Sequence, residues 1–182
     1  MTIVNYLLAI PKCEYFLQLD IDQGKLHGVS FQAIKKQKNM STTKYPGMMA
    51  KQLIADENEK IISQFKQYLI SPAINWDVTF VWPGMSDFQL SVLDYLKKIP
   101  IGTTKTYGQV ATDLQTSARA VGNACRRNPF PIIYPCHRVV AQNGLGGYDG
   151  EFRASKNNNK AVIDGRLAIK YFLLQHEQAV IN

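Results

Sequence analysis

The spacing of apolar residues changes part-way along this chain of 182 residues, and that change limits the folds it can adopt. Over residues 15–31 apolar and polar side chains alternate, which predicts β-strands. Asp22-Gln23-Gly24 interrupts the alternation and predicts a hairpin turn. From Asp56 onward the apolar residues recur at helical spacing. Strands followed by helices predict a fold of the α+β class.

The first half is predicted to be a small α/β domain. Met1 to Ile10 is apolar and has no basic segment before it, so we interpret it as a strand and not as a signal peptide. Thr79 to Trp82 predicts a further short strand, ended by Pro83-Gly84. The helix expected from Asp56 has one apolar stripe, formed by Ile61, Ile62, Phe65 and Leu69.

The second half is predicted to be mainly helical. Ser86-x-x-Gln89 and Thr106-x-x-Gln109 are capping boxes, each of which predicts a helix start. Ser117 is expected to cap another helix that ends near Asn128, and the last two short helices then resemble a helix-turn-helix. A final helix is expected from about Gly165. The residues expected to face inward on the first and last helices are Phe88, Val92, Leu96, Ile99, Leu167, Tyr171 and Leu174.

Two domains follow from these patterns. Residues 1–78 are predicted to form a supporting domain and residues 79–182 a functional domain. No apolar run approaches the roughly 20 residues that a membrane span needs. Three scattered cysteines predict no disulfide framework, and a reduced, cytoplasmic protein is the expectation.

The net charge of +7 is unevenly distributed. Residues 1–79 hold nine basic and seven acidic residues, a net of +2, whereas residues 80–182 hold twelve and seven, a net of +5. Residues 97–138 contain seven basic residues and a single acid, Asp113. Such a stretch is either a solvated basic surface or a face for a polyanion such as nucleic acid.

Cys136, between Pro135 and His137, is the candidate for covalent chemistry. It is either an inert buried thiol or a nucleophile, and the neighbouring His137 and Arg138 favour the thiolate. We predict a short apolar strand over 132–140, interrupted near Cys136. Because neighbouring side chains on a strand point to opposite faces, Cys136 and His137 would connect only through a turn or a bridging water. This adjacency argues against a papain-type protease, whose histidine is remote in sequence.

The motif Pro-Cys-His-Arg-Val-Val at 135–140 resembles that of the methylated-DNA–protein-cysteine methyltransferases, also called O6-alkylguanine-DNA alkyltransferases. The resemblance covers most of residues 80–182 and is much weaker over residues 1–79. It implies a small α/β, ribonuclease H-like N-terminal domain, followed by a mainly helical DNA-binding domain that contains a helix-turn-helix and the active site.

The resemblance also implies catalytic roles. Cys136 would accept the alkyl group in a single displacement. His137 would deprotonate it through a water, and Glu177 would orient the imidazole. Tyr107, in Thr-Tyr-Gly-Gln at 106–109, would donate a hydrogen bond to the flipped base as negative charge builds on guanine.

A second set of residues is implied to face DNA or the alkylated base. Arg119 would enter the duplex in place of the extruded base, and Asn128 would order the turn before the active site. The Val139 carbonyl would read the guanine amino group, while Tyr148 and Asp149 would close the pocket. The full set is Arg119, Arg126, Arg127, Asn128, Arg138, Val139, Tyr148 and Asp149.

The implied partner is double-stranded DNA containing O6-alkylguanine, with O4-alkylthymine as a further candidate lesion. A monomer that reacts once, without metal or cofactor, is expected. An insertion at about 151–164 departs from the family pattern, and we expect it to be a mobile surface loop that adds phosphate contacts.

Two other functions stay open from the sequence. One is a non-catalytic module that binds alkylated bases, which the presence of Cys136 disfavours. The other is a cysteine hydrolase, which the adjacency of Cys136 and His137 and the lack of an oxyanion-hole signature disfavour.

Overall fold

The computed structural model describes residues 4–10, 15–33, 56–147 and 166–179. Of these, the residues up to Ile70 together with Ile74–Val81 form one compact unit, and Ser71–Ala73 together with those from Trp82 onward form another. No helix in the described ranges is long and apolar enough to cross a membrane. The elements in chain order are β1 (Val4–Ala9), β2 (Tyr15–Asp22), β3 (Lys25–Ala33), α1 (Asp56–Ile70), β4 (Thr79–Phe80), α2 (Asp87–Lys97), β5 (Lys105–Thr106), α3 (Tyr107–Asp113), α4 (Ala118–Arg126), a 3-10 turn (Cys136–Arg138), β6 (Val139–Val140) and α5 (Arg166–His176).

The first unit contains a four-stranded sheet in the order β1-β2-β3-β4. The first three strands are antiparallel, and β4 pairs parallel to β3. The predicted hairpin is confirmed. Its turn residues Gln23 and Gly24 have φ of 47° and 69°, the positive values that a two-residue type I′ turn requires. Leu17, Leu19 and Ile21 of β2 are fully buried, as their alternation predicts.

Helix α1 begins where the sequence predicts, and Ile61, Ile62 and Phe65 are buried. Tyr68 and not Leu69 completes the stripe, since Tyr68 is buried and Leu69 only half-buried. The buried Asn58 accepts a hydrogen bond from the backbone N–H of Gly24 at 2.7 Å, which ties the helix to the hairpin turn.

Helices α2, α3 and α4 of the second unit begin at the predicted caps. Both capping boxes form, and the Ser117 side chain accepts a hydrogen bond from the N–H of Ala120 at the start of α4. One residue that was predicted to face inward does not. Phe88, in the first turn of α2, is 39% exposed, and Leu93 is buried beside Val92 and Leu96.

Strands β5 and β6 form a parallel pair, in which Lys105 is opposite Val139 and Thr106 opposite Val140. Since α3 follows β5 directly and β6 follows the 3-10 turn directly, this pairing brings Tyr107 near Cys136–Arg138.

Of the stripe predicted for α5, Leu174 is confirmed as buried, Leu167 is half-buried and Tyr171 is wrong. Ile169, Lys170, Leu173 and Leu174 are buried, whereas Tyr171 is 41% exposed. The helix therefore turns a lysine inward, which a search for apolar residues alone does not anticipate.

Candidate active site

The residues around Cys136 form a tight turn, which confirms the predicted interruption of the strand there. The strand itself is found only at β6, and its predicted first part over 132–134 is wrong. The N–H of Cys136 donates to the Tyr134 carbonyl at 2.7 Å, and the N–H of Arg138 donates to the Pro135 carbonyl at 3.0 Å. A 3-10 turn has about three residues per turn, so neighbouring side chains diverge by about 120° and not 180°. The side chains of Cys136 and His137 are therefore not forced to opposite faces.

Asn128 fixes the chain ahead of this turn. Its side-chain amide donates to the Tyr134 carbonyl at 2.7 Å, and its side-chain oxygen accepts from the N–H of Phe130 at 3.0 Å. Between them Ile132 has φ of 78°, a strained value for a β-branched residue. Asn128, which is half-buried, thus shapes the turn through hydrogen bonds of both its amide nitrogen and its amide oxygen.

His137 contacts Glu177 inside the second unit. His137 is fully buried, and its Nε2 lies 3.0 Å from Oε1 of Glu177. The contact has the length of a hydrogen bond but not its alignment. Among the described residues, neither ring nitrogen has a well-aligned partner. Cys136 is buried, and 7% of the residue's surface is exposed.

Arg138 holds the carboxylate of Glu177. Its Nε and Nη2 donate to the two carboxylate oxygens at 2.8 and 2.9 Å, and Nη1 donates to the Ile99 carbonyl at 2.5 Å. This two-point geometry is the strongest form of such a pair. The prediction that Arg138 contacts DNA is corrected by this finding, because its guanidinium is buried and engaged within the domain.

Burial and neighbouring charges set the ionisation of these groups. Burial lowers the pKa of His137 below its ordinary value of 6.5, despite the adjacent carboxylate, so the ring is neutral near pH 7. Burial alone would raise the pKa of Glu177, but the close contact with His137 and the hydrogen bonds from Arg138 outweigh burial and lower it. The site therefore contains an ionised carboxylate beside a neutral imidazole.

Tyr107 lies between two glycines. A side chain at Gly122 would have its Cβ 3.9 Å from the Tyr107 ring, and one at Gly146 would have its Cβ 3.2 Å from it. The Tyr107 hydroxyl donates to the Gly147 carbonyl at 3.3 Å. Burial, followed by the nearby thiols of Cys125 and Cys136, raises the pKa of the phenol, so it stays protonated.

Lys170 was missed by sequence reasoning. Its side chain is fully buried, and its Nζ lies 5.5 Å from the centre of the Tyr107 ring. The available signal is its position, three and four residues before Leu173 and Leu174, which places a charge in the apolar stripe of α5.

The basic side chains of α4 lie at the surface. Arg119, Arg126 and Arg127 are exposed, whereas Val121 and Ala124 face the core. Arg119 and Arg126 are seven residues apart and share a face of the helix. Cys125, between them, is half-buried, and burial raises the pKa of its thiol.

The remaining predicted residues divide into two groups. The Val139 carbonyl accepts a hydrogen bond from Lys170 Nζ at 2.6 Å. Tyr148, Asp149 and the insertion at about 151–164 lie outside the described residues.

Residues 87–179 match the family model of the 6-O-methylguanine DNA methyltransferase DNA-binding domain. A methylated-DNA–protein-cysteine methyltransferase of Methanocaldococcus jannaschii is 60% identical over 62 residues, which cover 34% of this chain and 37% of that protein. One of Methanothermobacter thermautotrophicus is 32% identical over 137 residues, 74% of this chain and 72% of that protein. Among solved structures, the Mycobacterium tuberculosis protein OGT in complex with DNA superimposes with a TM-score of 0.60 and 28% identity, covering 90% of this chain and 88% of that one.

Proposed function

Because this chain belongs to the 6-O-methylguanine DNA methyltransferase family, we propose that it repairs DNA by moving an alkyl group from the exocyclic oxygen of guanine to the sulfur of Cys136. The observation that carries the proposal is the buried contact of His137 with Glu177, immediately after Cys136 in the chain. This arrangement supplies a general base, His137, that follows the thiol in the chain, and a carboxylate that contacts the imidazole.

His137 activates the thiol. A neutral, buried imidazole accepts the proton of Cys136 through a bridging water, and the ionised Glu177 stabilises the imidazolium that forms. Arg138 contributes by holding the carboxylate in place with two hydrogen bonds. Removal of the proton leaves the thiolate, which is the nucleophilic form of cysteine.

The transfer step exchanges one bond for another. A bond forms between sulfur and the alkyl carbon, and the bond from that carbon to the guanine oxygen breaks, its electron pair going to guanine. The protonated Tyr107 hydroxyl donates to the base as this negative charge grows. Overall the alkyl group replaces the thiol proton, and guanine gains a proton.

The alkylated base must leave the duplex before the sulfur can reach it. Base flipping costs a few kcal/mol, and weakened pairing of the lesion lowers that cost. Arg119, exposed in the first turn of α4, fills the gap left in the duplex, while Arg126 and Arg127 contact phosphates.

The base is recognised by backbone and side chains around the turn. The Val139 carbonyl oxygen has two lone pairs, and Lys170 uses one of them. The other accepts a hydrogen bond from the guanine amino group. Tyr148 and Asp149 close the pocket over the base.

The thioether that results is not readily reversed, so each molecule reacts once, as a monomer on double-stranded DNA in the cytoplasm. O6-alkylguanine is the proposed lesion, with O4-alkylthymine as a second candidate. Residues 79–182 bind DNA and accept the alkyl group, and residues 1–78 support them.

A single-turnover assay tests the proposal. The protein is incubated with duplex DNA containing O6-methylguanine in molar excess, and its intact mass is followed with time. We expect a gain of one methyl group per molecule and then no further reaction. Binding without a mass gain would indicate a non-catalytic reader, and continued turnover without a mass gain would indicate a hydrolase.

A further inference from the structure

Asn143 and Gly144 lie in a turn directly after β6, and the proposed chemistry leaves them without a role. A bridge between Ala141 and Gly144 closes the turn. An asparagine that precedes glycine loses its side-chain amide most readily, because glycine has no Cβ to obstruct attack by its own backbone nitrogen. We propose that Asn143 is a site of spontaneous deamidation, and that conversion to isoaspartate slows methyl transfer.

The surroundings of the pair favour this reaction. Asn143 is exposed and lies outside helices and strands, so water reaches its side chain. Gly144 has φ of 107°, a backbone conformation that glycine adopts without strain. Among the described residues, no atom outside the turn lies within 4 Å of the position that a Cβ on Gly144 would take. The approach to the Gly144 nitrogen is therefore open on that side.

The reaction consumes water and releases ammonia. A bond forms between the backbone nitrogen of Gly144 and the side-chain carbonyl carbon of Asn143, and the bond from that carbon to the side-chain nitrogen breaks. This nitrogen leaves as ammonia with the proton of the Gly144 amide, and a cyclic imide remains. Water then opens the imide. Attack at the side-chain carbonyl gives aspartate, whereas attack at the Asn143 backbone carbonyl gives isoaspartate, in which the main chain runs through the former side chain.

Isoaspartate lengthens a turn that is anchored at both ends. The main chain gains one carbon–carbon bond of about 1.5 Å. Ahead of the turn Val140 is buried, and beyond it Leu145 packs against the same apolar cluster. The ammonium of Lys170 donates to the carbonyls of Val139, Leu145 and Gly147 at 2.6, 2.6 and 3.1 Å. The added length must therefore distort the turn or displace the backbone that follows it.

The backbone that follows the turn contacts Tyr107. A Cβ at Gly146 would lie 3.2 Å from the Tyr107 ring, and the Tyr107 hydroxyl donates to the Gly147 carbonyl at 3.3 Å. Displacement of this backbone therefore moves the phenol that donates to the base. The expected effect on methyl transfer rests on the proposed function, whereas deamidation itself does not.

Peptide mapping of aged protein tests the modification site. The folded wild type is kept at pH 7 and at pH 9 and digested at acidic pH, and the peptides are fragmented by a method that separates isoaspartate from aspartate. We expect conversion at Asn143, faster at pH 9 because the attacking nitrogen must lose its proton. Asn75 is the internal control, since it is also exposed and outside helices and strands but is followed by the bulky Trp76. No conversion at Asn143 at pH 9, or equal conversion at Asn75, would overturn the site.

Two variants separate the added length from the added charge. Asn143→Asp carries the charge of the product on an unchanged main chain, and Asn143→Gln keeps an amide that cyclises much more slowly. In single-turnover assays at saturating O6-methylguanine duplex, aged wild type should react in two phases. Its isoaspartate fraction should be slower on the order of 10²-fold, the cost of misplacing reacting groups by about 1 Å. Fresh Asn143→Asp and aged Asn143→Gln should both keep the rate of fresh wild type.

The outcomes distinguish the inference from the proposed function. Aged wild type that contains isoaspartate at Asn143 and still reacts in one phase at the fresh rate would overturn the effect on transfer. A fresh Asn143→Asp variant as slow as the isoaspartate fraction would overturn the role of the added length. Absence of transfer by fresh wild type would overturn the proposed function and with it the effect on transfer, whereas the modification site is decided by the peptide maps alone.

Discussion

Glu177 is the residue at which the buried charges of the site converge. One carboxylate meets the His137 ring and accepts two hydrogen bonds from Arg138. A buried carboxylate is costly unless it is paired, so Arg138 makes an ionised Glu177 possible. In the proposed reaction the ionised Glu177 in turn supports a cationic His137. The resemblance named His137 and Glu177, and the structure adds Arg138 as the third member of this group.

Arg138→Met should destabilise the protein by about 3–5 kcal/mol, because it removes the cation and two charge-assisted hydrogen bonds from the buried Glu177 carboxylate. Arg126→Met, at an exposed position on α4, is the matched control and should change stability by no more than about 0.5 kcal/mol. Urea unfolding measures both. Equal stabilities of the two variants would show that the buried pair contributes little.

The pKa of His137 predicts how stability depends on pH. Its folded-state value lies below the ordinary 6.5, so below that pH the unfolded chain binds a proton that the folded protein does not. Stability should fall as the pH drops below about 6.5, and the His137→Gln variant should show a shallower fall. Unfolding free energies from pH 8 to 5 test this, and a wild-type curve that is level from pH 7 to 5 would contradict it.

At the scale of elements, the loop after β6 is closely packed against Tyr107 at the start of α3, with no room for a side chain at Gly146. A Cβ at Gly146 would lie 3.1 Å from the Ala141 nitrogen and 3.2 Å from the Tyr107 ring. Positive φ and close packing therefore both require glycine there.

Gly146→Ala should lower stability by more than the roughly 1–2 kcal/mol that positive φ alone costs an alanine, and it should slow methyl transfer. Gly144→Ala is the control, since Gly144 also has positive φ but has nothing within 4 Å of its Cβ position. Thermal unfolding and single-turnover rates measure the pair. If both alanine variants transfer methyl groups equally fast, the contact with Tyr107 has no part in the reaction.

What the sequence could predict differs between elements for physical reasons. The caps at Ser86, Thr106 and Ser117 are local, since side chain and partner lie within three residues, and all three predictions are confirmed. The apolar residues 132–134 resemble a strand in sequence because they show no helical period, but they form turns ahead of the interruption that the sequence does predict near Cys136. The side-chain bonds of Asn128 to Phe130 and Tyr134 shape the approach to it. Lys170 was missed because its three acceptors lie more than twenty residues away.

At the scale of the whole molecule, the charge is concentrated in the part of the chain that matches the DNA-binding family model. Residues 80–182 carry a net of +5 and residues 1–79 a net of +2. Arg138 and Lys170 are buried, so these two basic side chains are not available to bind phosphates. The arginines of α4 are exposed and are available.

Affinity for duplex DNA should therefore fall steeply with salt. Replacing Arg126 and Arg127 by alanine should reduce the slope of log affinity against log salt by about 0.9 for each phosphate that the variant no longer neutralises. Fluorescence anisotropy across a salt series measures the slope, and Lys66→Ala on α1 is the control that should keep it. An unchanged slope in the double variant would place the phosphate-binding side chains elsewhere.

The location of the transferred methyl group tests the central claim most directly. Cys125 and Cys136 are the free cysteines among the described residues, and both thiols act to raise the pKa of Tyr107, so they are the alternative methyl acceptors to distinguish. After reaction with O6-methylguanine duplex, peptide mass spectrometry should find the methyl group on Cys136 alone. Cys125→Ser should still react, and Cys136→Ser should not. A methyl group on Cys125, or transfer by Cys136→Ser, would contradict the account.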